Sequence, residues 1–203
     1  MIRVLLADDQ QLVRGALAAL LDLEPDIEVV AEVGRGDEVV DAARRLRPDV
    51  ALLDVEMPGI DGLAATAALR AALPGCRVLV VTTFGRPGYL RRAMEAGASG
   101  FVVKDTPARQ LADAVRRVHA GLRVVDPSLA AETLATGDSP LTPRETDVLR
   151  AAREGGTVAD LAADLRLSEG TVRNHLSAAM GKTGARTRAE AVRLAEERGW
   201  LLA

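Results

Sequence analysis

Apolar positions along this chain follow two regimes. Over about the first 120 residues, short apolar runs alternate with longer stretches whose apolar residues recur at helical spacing. The strand-like runs span residues 2–7 (broken by Arg3), 27–33 (with Glu28 and Glu32), 49–54 (apolar over 50–53), 78–81 and 101–103. Their lengths suit strands, and the unbroken runs suit strands buried on both faces. Between them the spacing predicts helices over 11–21, with Leu12, Ala16 and Leu20 on the apolar stripe, and over 37–46, closed by Arg47-Pro48. Further helices are predicted over 62–73, capped by Asp61 after the turn Met57-Pro58-Gly59, over 87–96 before Gly97, and over 107–120 before Gly121. Strands alternating with helices imply an α/β domain with a parallel sheet covered on both faces.

From 121 to 140 the pattern dissolves into turn signals, Asp126-Pro127, Thr136-Gly137-Asp138 and Ser139-Pro140, with one short helix expected over 128–134. From Thr142 onward every segment reads as helix. Thr142-Pro143-Arg144-Glu145 has the form of a capping box. Residues 157–165, the turn Arg166-Leu167-Ser168 and residues 170–182 read as helix–turn–helix, with a small core through Val148, Leu149, Leu161, Leu165, Val172, Leu176, Val192 and Leu194. The expected division is residues 1–122, a linker over 123–139, and an all-α domain over 140–203.

Composition narrows the classes. Apolar content of 48% and charged content of 27% are those of a globular chain, and 2% aromatic residues require aliphatic cores. The single cysteine, Cys76, cannot form an internal disulfide, which fits a reducing, cytoplasmic setting. No run approaches the roughly 18 residues of a membrane span, so no membrane insertion is expected. Net charge is −3, yet residues 168–188 carry Arg173, Lys182, Arg186 and Arg188 against Glu169 alone, a basic stripe of the kind that meets DNA.

Candidate chemistry sits at the carboxyl ends of the runs, where parallel sheets bind ligands. The first run ends in Asp8 and Asp9, the third in Asp54, the fourth in Thr82 and the fifth in Lys104. Three carboxylates together need a cation, and an all-oxygen set favours Mg²⁺. An aspartate beside Mg²⁺ can attack a phosphoryl group, with the lysine and the hydroxyl contacting its oxygens.

These residues, with Leu53-Asp54-Val55-Glu56-Met57-Pro58-Gly59-Ile60-Asp61-Gly62, resemble a response-regulator receiver domain over residues 1 to about 122. The resemblance implies a CheY-like, doubly wound, five-stranded sheet in the order 2-1-3-4-5. It makes Asp54 the phosphoacceptor for a sensor histidine kinase and gives Mg²⁺ to Asp8, Asp9, Asp54 and the Glu56 backbone carbonyl. Thr82 and Lys104 would hold the phosphoryl group, and Thr82 with Phe101 would form the switch, the ring turning inward as Thr82 moves. Glu56 and Phe84 would flank the path of attacking water.

The segment Leu167-Ser168-Glu169-Gly170-Thr171-Val172-Arg173-Asn174-His175-Leu176-Ser177 and the entry Leu141–Glu145 resemble LuxR-type domains, and the whole resembles the NarL/FixJ family of transcriptional regulators. That resemblance implies a recognition helix reading a double-stranded operator: Arg173, Asn174 and Ser177 on base edges, Thr171, His175 and Lys182 on the backbone. It also implies a homodimer on phosphorylation. Gln10 and the run 82–89 resemble the DesR-type branch. Departures fall at Ala159, where a basic residue is common, and at Ala179 and Thr183, where larger apolar residues are common; they shift weight onto dimerisation. Two other readings remain open on sequence: an aspartyl-phosphate hydrolase, although the usual Asp-x-Asp pair is absent at Asp54, and a receiver joined to a protein-docking helical bundle.

Overall fold

The computed structural model describes residues 1–83, 87–126, 129–131 and 139–201. The chain divides into two compact units, one holding the strands and the other the carboxyl-terminal helices. The first runs β1 (Ile2–Ala7), α1 (Gln11–Asp22), β2 (Ile27–Val33), a 3-10 turn (Gly36–Glu38), α2 (Val39–Leu46), β3 (Val50–Leu53) and α3 (Gly62–Ala72). It continues with β4 (Arg77–Thr82), α4 (Pro87–Glu95), β5 (Gly100–Val103), α5 (Ala108–His119) and β6 (Val124–Val125).

The sheet is parallel throughout, in the order β2-β1-β3-β4-β5-β6. The five expected strands keep the expected order, and a sixth is added. In β6, Val124 pairs with Gly100 and Val125 with Phe101. Two residues are too few to show alternation, so this stretch read as the start of a linker. All four residues of β3 are buried, and its place between β1 and β4 explains its unbroken apolar run.

Strand alternation splits the core into two layers. Leu5, Leu53, Val80 and Phe101 pack with α2, α3 and α4, whereas Val4, Leu6, Leu52 and Val81 pack with α1 and α5. Helix α1 corrects one expectation. Its buried side is formed by Ala18 and Leu21 with Leu17 packed alongside; Ala16 is exposed, Leu12 is 87% exposed and Leu20 41%. The helix is apolar around most of its circumference, so spacing alone could not choose its face. Helix α2 also starts two residues later than expected, after the 3-10 turn.

The second unit contains α6 (Pro143–Arg153), α7 (Val158–Leu165), α8 (Glu169–Thr183) and α9 (Arg188–Glu197). Side chains cap all four amino termini. Thr142 with Glu145 and Thr157 with Asp160 form capping boxes, while Ser168 and Thr187 accept from Thr171 N and Glu190 N. Arg166 closes α7 at φ 54°, and Gly184 closes α8 at φ 74°. Most of the expected core is buried, with Leu165 and Leu194 only half-buried. Sequence reasoning missed Trp200 and Leu201, which follow α9 and complete that core, the Arg198 guanidinium lying 4.8 Å above the Trp200 ring. Of the helix expected over 128–134, residues 129–131 are helical and the rest lie outside the described residues, as does Phe84.

Candidate functional site

The strand order places the ends of β1 and β3 side by side and sets β4 and β5 next to them. Asp8 and Asp54 are buried at 3% and 4% exposure, and Asp9 is exposed at the rim. Carboxylate oxygens of Asp8, Asp9 and Asp54 all lie within 4.8 Å of one another. Lys104, just past β5, directs its Nζ into this group, 2.7 Å from Asp8 Oδ2 and 2.9 Å from Asp54 Oδ2. Thr82 ends β4, is buried, and accepts the Lys104 backbone N–H on its carbonyl at 2.7 Å. The five residues that sequence places at strand ends therefore meet at one edge. Glu56 is exposed on the loop after β3.

Charge in this pocket is only partly balanced by its own residues. Burial pushes the Asp54 carboxyl above the usual range and outweighs the lowering by Lys104. Burial opposes charge on Lys104, but its bonds to Asp8 and Asp54 prevail and hold its pKa above the ordinary value. One ammonium facing two buried carboxylates, with a third at the rim, leaves net negative charge for a hard cation to offset.

On α8, Val172, Leu176, Ala179 and Thr183 face the core, at helical spacing. Arg173, Asn174 and Ser177 are exposed on the opposite side, and Thr171 and His175 are half-buried. Arg173 Nη2 donates to Glu169 Oε2 at 2.6 Å, one turn earlier. The Lys182 ammonium lies 2.7 and 3.0 Å from the two oxygens of Glu145, itself only 5% exposed. Ala159 is exposed, and Ala179 and Thr183 are buried, so any effect of those two on DNA affinity runs through packing.

Comparison with known proteins accounts for both units. Residues 4–116 match the response regulator receiver domain, and residues 139–195 match the bacterial regulatory proteins of the luxR family. The transcriptional regulatory protein DesR of Bacillus subtilis is 42% identical over 200 residues, covering 98% of this chain and 99% of that one. YvfU, a transcriptional regulatory protein of the same organism, is 43% identical over 203 residues, covering 99% and 100%. This chain belongs to the response-regulator family.

Its output half is a LuxR-type DNA-binding domain, so this response regulator is a transcriptional regulator. The hydrolase and protein-docking readings are thereby set aside. The crystal structure of the response regulator ChrA, of a heme-sensing two-component system, superposes with a TM-score of 0.59 at 36% identity, covering 97% of each chain. Among the described residues no helix is long and apolar enough to cross a membrane.

Two details of the response regulator were not visible as functional in sequence. A Cβ on Gly62 would lie 1.8 Å from the Asp54 carbonyl oxygen, so this glycine lets α3 start against the residue it follows in space. Glu145 was legible as a cap but not as the partner of Lys182, 37 residues away, because nothing local marks such a pairing.

Proposed function

We propose that Asp54 accepts a phosphoryl group from a sensor histidine kinase and that this controls operator binding by a homodimer of the LuxR-type domain. The observation that carries the reading is the Lys104 bridge between Asp8 and Asp54, 2.7 and 2.9 Å long, which joins the two buried carboxylates to a cation at the strand ends. An Asp54 oxygen attacks phosphorus, the phosphorus–nitrogen bond of the phosphohistidine breaks, and the imidazole leaves. Lys104 and the Thr82 hydroxyl hold the transferred phosphoryl oxygens. Asp8, Asp9 and Asp54, with the Glu56 backbone carbonyl, would hold Mg²⁺; the three carboxylates, with oxygens within 4.8 Å of one another, suit that hard ion. When bound, Mg²⁺ supplies the positive charge that lets a carboxylate approach an anionic phosphoryl group.

Thr82 and Phe101 form the switch. The Phe101 ring is fully buried among the residues packed by α3 and α4, so the conformation described here has the ring inward. Phosphorylation, by drawing Thr82 to the phosphoryl oxygens, favours that inward set and biases α4 and its neighbours. In the output domain, Arg173, Asn174 and Ser177 read base edges, while Thr171, His175 and Lys182 contact the DNA backbone. Lys182 spends two of its protons on Glu145 and keeps the third for phosphate. Phosphotransfer is the receiver's own chemistry in a protein that turns over no external substrate. We place the receiver at 1–122, the linker at 123–139 and the output domain at 140–203, acting in the cytoplasm.

Incubation with a small phosphodonor and Mg²⁺ tests the pocket. One phosphoryl group per chain is expected, released by hydroxylamine as an acyl phosphate is and lost in Asp54→Ala. Labelling that persists in that variant, or rapid multiple turnover, refutes the assignment. Operator binding with and without the donor tests the switch: unchanged occupancy after verified phosphorylation would sink it.

A further inference from the structure

Arg14 lies in the second turn of α1, with its side chain only 17% exposed. Its Nη1 donates to the Asp8 backbone carbonyl at 2.5 Å. Its Nε, buried without a hydrogen bond, lies 3.5 Å from Glu32 Oε2 on β2. A Cβ on Gly34, just past β2, would stand 3.4 Å from Nη1, so the guanidinium lies over the end of that strand as well. Arg14, Asp8 and Asp54 line one small cavity beside the acidic pocket.

Asp8 is held at every polar atom. Its N–H donates to Val33 O at 3.1 Å, Oδ1 accepts from Gln10 N at 3.0 Å and Oδ2 faces Lys104. Arg14 holds the remaining group, the carbonyl. The peptide unit is planar, so fixing that oxygen also fixes the Asp9 N–H and the direction in which Asp9 leaves the strand. A charge-assisted bond does this more firmly than a neutral donor.

We propose that Arg14 is a positioning residue for the acidic pocket: it fixes the Asp8–Asp9 peptide so that both carboxylates face Asp54, and thereby sets the affinity for Mg²⁺. The proposal rests on the reading above that this pocket binds Mg²⁺. Removing a cation beside carboxylates would by itself tighten a divalent ion, because like charge is relieved. Loss of positioning has the opposite sign, since residues that orient metal ligands typically change affinity about 10- to 100-fold. The sign of the effect therefore separates the two roles.

The test is calorimetric titration of the full chain with MgCl₂ for wild type, Arg14→Gln and Arg14→Lys, with thermal midpoints recorded without Mg²⁺. Arg14→Gln is expected to weaken Mg²⁺ about tenfold. Arg14→Lys keeps the charge but loses the fork, and is expected to weaken it about threefold, nearer wild type. Unchanged or tighter binding in Arg14→Gln overturns the proposal, as does a lowered midpoint with unaltered affinity. If Arg14→Gln does not fold, wild-type affinity in Arg14→Lys overturns it. A wild-type chain that binds no Mg²⁺ overturns the pocket reading itself and this inference with it.

Discussion

Asp54 offers one oxygen to each of two very different donors. Its Oδ1 accepts the Val55 N–H at 2.7 Å, a short local bond, while Oδ2 meets Lys104, 50 residues on. Such a carboxylate is fixed in orientation before any substrate arrives. Gly62 keeps it so. Gly62→Ala would drive a methyl group into the Asp54 backbone, which cannot yield as a flexible side chain would. We expect this single methyl to lower the thermal midpoint by an amount corresponding to about 2 kcal/mol and to slow phosphodonor labelling. A variant that labels at the wild-type rate with an unchanged midpoint would show that the loop adapts. Phe101→Ala removes a fully buried ring and is expected to cost about 3–5 kcal/mol in receiver stability, read by urea denaturation. The carboxylates, Thr82 and Lys104 were legible because each stands where an apolar run stops. Arg14 was not, since an arginine on a helix ordinarily reads as solvated surface.

Helices α6 and α8 are joined by an ion pair that does more than hold two ends together. Glu145 accepts Thr142 N at 2.7 Å and also both bonds from Lys182, so one buried carboxylate caps α6 and anchors the end of α8. Burial works against its charge, but Lys182 and the cap bonds hold its pKa below the ordinary value. A carboxyl depressed in the folded state stabilises the fold above its unfolded pKa. That stability is lost as pH falls through the lower folded value. The second unit should therefore lose stability between the ordinary glutamate range and more acid pH, and Glu145→Gln should flatten that dependence. Because the Lys182 side chain is 36% exposed, we expect Glu145→Gln to cost about 1–2 kcal/mol at neutral pH, checked by calorimetry across pH. Equal pH slopes for wild type and variant would remove the pair from the account. Element identity and order were legible from periodicity and caps, down to Asp61, whose carboxylate accepts from Ala64 N. The face of α1 was not, because Leu12, Ala16 and Leu20 make as regular a stripe as the one that is buried.

The whole molecule carries a net charge of −3, so general attraction to nucleic acid is weak, and the basic stripe over residues 168–188 is a local exception to it. Arg173→Ala should reduce operator affinity by about 1–3 kcal/mol with relaxed base preference, measured by titration at two salt concentrations. A uniform loss across sequences would instead assign Arg173 to phosphate. At this scale the two-part organisation was legible from the change of regime along the chain, whereas β6 was not, because its two residues declare themselves only by pairing with β5. Trp200 has a consequence of its own. It is the only tryptophan in the chain, and it sits in the core of the helical unit while the strand-bearing unit has none. Selective excitation of indole therefore illuminates one half of the intact protein and leaves the other dark. A denaturation curve followed by indole emission is thus read from a ring in the DNA-binding half, whereas one followed by backbone ellipticity reads the helices of both.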